Sequence, residues 1–177
     1  WAGPHCAVYG NMGSRCRNRQ RAPHMASSRT ILITGCSSGI GAYCARALKR
    51  DGWRVFATAR KPEDLAALKA DGLEAFYLDY REPDSIEALV RDVLAATGGT
   101  LDALFNNGGY AQPGAVEDVP MAALREQFET NFFGWHDLTR RFVPVMRQQG
   151  HGRIVHCSSI LGVVPQRWRG SYSASKH

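Results

Sequence analysis

Thr30-Ile31-Leu32-Ile33-Thr34-Gly35-Cys36-Ser37-Ser38-Gly39-Ile40-Gly41 is the stretch on which the reading of this chain turns. Its first four residues are β-branched or aliphatic and predict a short buried strand. Thr34 and Gly35 then turn the chain into a loop whose glycines read G-x-x-x-G-x-G. Beyond it Ile40, Cys44 and Leu48 recur at i, i+4 and i+8, with Gly41 and Ala45 beside them, which predicts a helix laying that stripe against a sheet. A loop of this kind brings backbone N–H groups close to a phosphate and aims a helix N-terminus at its charge, so a nucleotide site is the first hypothesis. The spacing departs from the commoner G-x-G-x-x-G, and three glycines in a turn also suit plain close packing.

Outward from this stretch the chain alternates strand and helix. Strands are predicted at 53–57, 73–78, 101–105 and 153–157, and helices at 62–70 and across 121–149. The clearest helix carries Ile86, Leu89, Val90, Val93 and Leu94 on one stripe, with Pro83 between Glu82 and Asp84 at its start and Gly98-Gly99 at its end. Repeated β-α-β with apolar strands predicts an α/β fold, a doubly wound parallel sheet of strand order 3-2-1-4-5 covered on both faces.

Composition sets the limits. A chain of 177 residues with 44% hydrophobic and 21% charged residues is an ordinary globular composition, and no apolar run is long enough to span a bilayer. The formal charge of +6 sits at one end: residues 1–29 hold Arg15, Arg17, Arg19, Arg21 and Arg29 and no acid, leaving 17 basic against 16 acidic residues elsewhere. Residues 1–28 lack periodicity and are read as a disordered or non-native leader, with Met25 as the expected start; residues 29–177 form the domain. The leader carries no interleaved aromatic platform, which argues against nucleic-acid binding. Five cysteines (Cys6, Cys16, Cys36, Cys44, Cys157) form no C-x-x-C pair, so no structural metal is indicated and a reducing cytoplasm is expected; Cys44 and Cys157 are read as small core residues.

In doubly wound sheets ligands bind beyond the carboxyl ends of the strands. After the second strand Arg60 stands where an acid would bond the ribose hydroxyls of NAD; a guanidinium suits a 2′-phosphate and so NADP, or is a solvated strand-end charge. Asp79 follows the third strand as an adenine acceptor or a turn opener, and Asn106-Asn107-Gly108-Gly109 follows the fourth. Ser158 and Ser159 follow the fifth. Tyr172 and Lys176, four apart, share a helix face where an ammonium would favour a phenolate for acid–base work, with a serine hydroxyl to steady developing charge; on spacing alone Tyr172 equally suits packing and Lys176 a solvated charge.

Taken together, T-G-C-S-S-G-I-G, Asp79, N-N-G-G, Asn131 in N-F-F-G, I-V-H-C-S-S and Y-S-A-S-K resemble the short-chain dehydrogenase/reductase family from about Thr30 to the last residue, most of all its hydroxysteroid and retinol dehydrogenase members. The resemblance implies that Tyr172 is the general acid/base, that Lys176 supports it and holds the nicotinamide ribose, and that Ser159, thirteen residues before the tyrosine, orients the substrate. It implies that Asn131 shapes the active site and holds a relay water. Thr34, Gly35, Ser38, Gly39, Ile40 and Gly41 map onto the cofactor loop, Arg60 onto the NADP-selective position, and Asp79 and Asn107 onto further cofactor contacts. The family's usual N-N-A-G has Gly108 here, a change expected to leave the motif's role intact. The family also continues past the position of His177.

The expected function is hydride transfer between NADP, with NAD as the alternative, and a small-molecule carbonyl or alcohol, in a form that is homo-oligomeric at full length. The rival reading is a nucleotide-binding but inactive fragment, with the fifth strand left as an open edge that promotes association.

Overall fold

The computed structural model describes residues 28–177, so the expectations for the arginine-rich leader up to residue 27 lie outside it. Five parallel strands form one sheet in the order β3-β2-β1-β4-β5: β1 Thr30–Ile33, β2 Arg54–Ala59, β3 Glu74–Tyr77, β4 Ala103–Asn106 and β5 Arg153–His156. The order reverses between β1 and β4, the switch point at which a doubly wound sheet opens a crevice. Helices α1 Gly39–Arg50, α2 Pro62–Ala70 and α3 Pro83–Thr97 connect the first four strands. The predicted helix over 121–149 is one continuous stretch with a fault in it. It runs as α4 Met121–Phe128, a π turn Glu129–Phe133 and α5 Gly134–Gln149, and a short α6 Gly170–Lys176 follows β5.

Alternation along β1 divides the core. Leu32 points with Phe56 and Leu104 into a cluster with Ile86, Leu89 and Val93 of α3 and Leu138 and Phe142 of α5. Ile31 and Ile33 point the other way, into a cluster with Val55, Ala57, Ala45 and Leu68 beneath α1 and α2. Each fully buried aliphatic or aromatic side chain contributes about 1.5–3 kcal/mol, so the sheet is held from both faces. The α3 boundaries follow the sequence signals: Pro83 opens the helix, and Gly98 closes it in the left-handed conformation, φ +67°, donating its N–H to Leu94 O.

The α1 stripe differs from the expectation. Gly41, Ala42 and Ala45 are its buried residues, Cys44 and Leu48 are half-buried, and Ile40 is 59% exposed. The cause is close approach: a Cβ at Gly41 would lie 2.4 Å from Gly35 O, so only small residues fit the contact face and Ile40 turns towards the crevice.

Candidate active site

Thr34, at the end of β1, is the joint of the site. Its buried Oγ1 donates to Phe105 O (3.3 Å) and accepts from the backbone N–H groups of Asn107 (2.9 Å) and Gly108 (3.0 Å). The Tyr80 hydroxyl, buried after β3, lies 2.7 Å from the same oxygen and 3.1 Å from Asn106 Oδ1. Burial pushes the Tyr80 phenol far above its ordinary value, so it stays protonated as a hydrogen-bond partner. Asn107 Nδ2 donates back to Thr34 O (2.9 Å) and Gly35 O (3.2 Å), and Gly35 N donates to Thr58 Oγ1 (3.3 Å). Three strand ends are thereby fastened to the glycine loop.

The loop needs its glycines for two reasons. Gly35 and Gly39 sit at φ +65° and +58°, where a side chain is strained. A Cβ on Gly35 would also lie 2.5 Å from Gly108 Cα. The turn Asn106–Gly109 explains the departure at its third position: a Cβ on Gly108 would stand 3.2 Å from Tyr80 Cε2, so the bulky Tyr80 and the absent methyl go together.

Above the strand ends lies a cavity of about 370 Å³ bordered by Gly35, Ser38, Ile40, Arg60, Asp79, Asn107, Tyr172 and Lys176 among the residues expected in the site. Thr34, Gly39, Gly41, Asn131 and Ser159 do not line it. Thr34 and Gly41 are buried beneath the loop. Ser159 begins the 3-10 turn Ile160–Gly162, its Oγ accepting from Leu161 N (3.1 Å), while Ser158 reaches the cavity wall with its Oγ donating to Lys176 O (2.8 Å).

Asn131 lies in the π turn, a one-turn bulge of the helix of the kind that recurs at functional sites. It is buried, and its amide brackets the Tyr110 backbone: Nδ2 donates to Tyr110 O (2.9 Å) and Ser175 Oγ (3.1 Å), and Oδ1 accepts from Tyr110 N (3.1 Å). Gln127, one turn earlier and fully buried, continues the clamp by donating to Tyr110 O (2.8 Å) and accepting from Gln112 N (2.6 Å). The sequence offered a signal for Gln127 in its i, i+4 spacing from Asn131.

At the β2–β3 end Asp79 is buried and its carboxylate is forked by Arg81 (2.6 Å from Nη2 to Oδ2), which holds it below the ordinary carboxylate range. Arg81 in turn meets Glu126 (2.5 Å). Arg60 stands 3.8 Å from Asp79 and is largely exposed at the cavity mouth. Arg60 thus faces the cavity mouth outside the close Asp79–Arg81–Glu126 network. At the other end Lys176 Nζ donates to Cys157 O (2.8 Å) and lies 6.0 Å from the Tyr172 ring centre. Burial pushes the Lys176 ammonium down from 10.5 to about 8.

A cationic mouth, a glycine-lined loop on a 12-residue helix and a phenol–amine pair lie along one crevice. Backbone N–H groups and a helix N-terminus fit a phosphate, and Arg60 fits a second one. Among the described residues no His, Cys, Asp and Glu cluster could hold a metal ion, and no helix is long and apolar enough to cross a membrane.

Fold and crevice together define a doubly wound α/β protein of the Rossmann type. Residues 29–177 match the short chain dehydrogenase family, and the chain belongs to it. It is 41% identical over 149 residues to an uncharacterized oxidoreductase, YbbO, of Escherichia coli, covering 84% of this chain and 55% of that protein. Among solved structures it superposes on a short-chain dehydrogenase from Streptomyces avermitilis with a TM-score of 0.80 at 40% identity, covering 85% of this chain and 56% of the other. An actinorhodin polyketide ketoreductase with NADPH gives 0.79 at 37%, covering 85% and 60%. The chain thus spans little more than half the length of these relatives.

Proposed function

We propose that the protein is the part of an NADP(H)-dependent oxidoreductase that holds the nucleotide and carries the proton-transfer groups, acting on a carbonyl or alcohol. The observation that carries this reading is the single cavity that the glycine loop, Arg60, Asp79, Asn107, Tyr172 and Lys176 line together. Gly35, Ser38 and Gly39 with the α1 N-terminus would receive the pyrophosphate, Arg60 the 2′-phosphate, and Asp79 the adenine. When bound, the nicotinamide supplies or accepts the hydride.

The chain's own side chains do the rest. Tyr172 gives its phenolic proton to the carbonyl oxygen in reduction and takes it back in oxidation. Lys176, its Nζ 6.0 Å from the Tyr172 ring centre, places a positive charge on the same side of the cavity and would hold the nicotinamide ribose. Ser159 is assigned the substrate oxygen: its Oγ accepts from Leu161 N, which leaves the O–H free to donate to that oxygen; Ser158 already borders the cavity and is the neighbouring hydroxyl to compare. Asn131 keeps the floor of the site in place through Tyr110. The likeness of the motifs to hydroxysteroid and retinol dehydrogenases supports an apolar carrier for the reacting group. Free thiols at Cys36, Cys44 and Cys157 support a cytoplasmic setting, and the exposed β5 edge supports self-association of the protomers.

Fluorescence titration with NADPH and NADH tests the cofactor reading. Arg60→Asp is expected to reverse the preference towards NADH, and Tyr172→Phe to leave both affinities within about twofold while lowering carbonyl reduction by about 100-fold or more in a chain continued to the relatives' length. Undiminished turnover in the phenylalanine variant removes Tyr172 from its role.

A further inference from the structure

We propose that Trp135 is the positioning residue for Lys176: its indole face is the floor on which the ammonium rests, and its N–H fastens that floor to the Asn106–Gly109 turn. The inference rests on the role proposed above for Lys176. Trp135 is 6% exposed in α5, four residues after Asn131 on the same continuous helix. Its Nε1–H donates to Gly108 O at 2.7 Å. Lys176 Nζ lies 3.9 Å from the ring centre, within the range where a cation is drawn to the negative face of an indole.

The remaining walls are polar backbone. Cys157 O accepts one ammonium proton at 2.8 Å, and Gly109 passes alongside: a Cβ there would stand in ordinary contact with Nζ at 3.5 Å but would press on Asn131 Oδ1 at 2.8 Å. An ammonium has three donors and a long flexible stem, so one carbonyl leaves it free to swing. The aromatic floor removes that freedom, and a charge already in place acts without reorganisation when the reaction comes. Because the indole also bonds Gly108 O, the lysine is located relative to the turn after β4, and not only relative to its own seven-residue helix. Other titratable groups near Nζ are Tyr172 on α6, Cys157 after β5 and His156 on β5, which stacks on the same indole at 5.7 Å; His136 and His177 border the adjoining space. Burial, and after it the neighbouring Lys176 charge, push the His156 imidazole below its ordinary value.

The test is a pH titration, without nucleotide, of a 177-residue chain in which Trp135 is the sole tryptophan (Trp1, Trp53 and Trp168→Phe). The expected result is a step in Trp135 emission centred near pH 8, where Lys176 loses its charge. The step should vanish in Lys176→Met. In Lys176→Arg the emission should stay at its low-pH value throughout, which separates a resting charge from a general change in packing. A chain with no step, or one whose step survives both substitutions, overturns the inference. NADPH binding is measured separately: a step without binding keeps Trp135 in this role and removes the oxidoreductase reading, and binding without a step does the reverse.

Discussion

Strands β1 and β5 both end at the cavity, yet one is walled in and the other stands at the open edge of the sheet. Every residue of β1 is buried, and the loop after it is fastened by Thr34, Asn107 and Thr58. In β5 Val155 is 52% exposed, and the helix that follows the loop after it has seven residues. Local stability is therefore expected to be highest at the loop proposed to cradle a phosphate and lowest beside the groups proposed to move protons. The glycine-loop end is fastened by many hydrogen bonds; the α6 end is held by a few contacts, Lys176 with Cys157 and Trp135 foremost among them.

The largest effect is expected from damaging the glycine-loop end. Gly35→Ala adds a methyl at φ +65°, 2.5 Å from Gly108 Cα and 3.0 Å from Gly108 N, backbone atoms that cannot give way cheaply. A strained conformation together with overpacking costs about 2–5 kcal/mol, a large share of a domain's total stability. Urea denaturation is expected to show that loss along with loss of nucleotide binding. A variant that unfolds at the parent midpoint would mean the loop is softer than its hydrogen bonds suggest.

A smaller effect tests whether the two ends meet at Tyr80. Gly108→Ala places a Cβ 3.2 Å from Tyr80 Cε2 and is expected to cost about 1–2 kcal/mol. In a Tyr80→Val background that clash is gone, although Tyr80→Val itself loses the bridge between Thr34 and Asn106. The double-mutant cycle should therefore show a favourable coupling of about 1 kcal/mol. Strict additivity would separate Gly108 from Tyr80.

That pair marks the boundary of what the sequence conveyed. Strand order and the caps of α3 were legible because periodicity and punctuation are local; of the expected site residues, Thr34, Gly39, Gly41, Asn131 and Ser159 stand off the cavity wall. The burial of Ile40 was misjudged because α1 is pressed against Gly35, and the contact face is chosen by close approach, not by hydrophobicity. Tyr80, Gln127 and Trp135 were passed over for a related reason. Each bonds a partner far away in sequence, Tyr80 the side chains of Thr34 and Asn106, Gln127 the Tyr110 peptide and Trp135 Gly108 O, and no spacing rule announces such a partner. The π turn at Asn131 was equally silent, because the helical pattern runs through it unbroken.

The smallest expected effect sharpens the contrast at the α6 end. Lys176 ordinarily titrates at 10.5 and is pushed down to about 8 by burial in the folded chain. Between about pH 8 and 10.5 the unfolded chain still holds a proton that the folded chain has released, so stability rises with pH across that window. Below about pH 8 both states are charged, and the folded state bears the whole cost of keeping an ammonium away from water. Lys176→Met keeps the unbranched stem and removes the charge, so the variant should melt a few degrees above the parent at pH 7. The gap should close as pH passes 10.5, where the parent's lysine is neutral in both states. Thermal melts at pH 7 and above pH 10.5 decide it. A gap that is absent at pH 7, or constant across both conditions, would mean that Trp135 and Cys157 O already repay the burial in full, and that the edge of the sheet carries no stored cost for its chemistry.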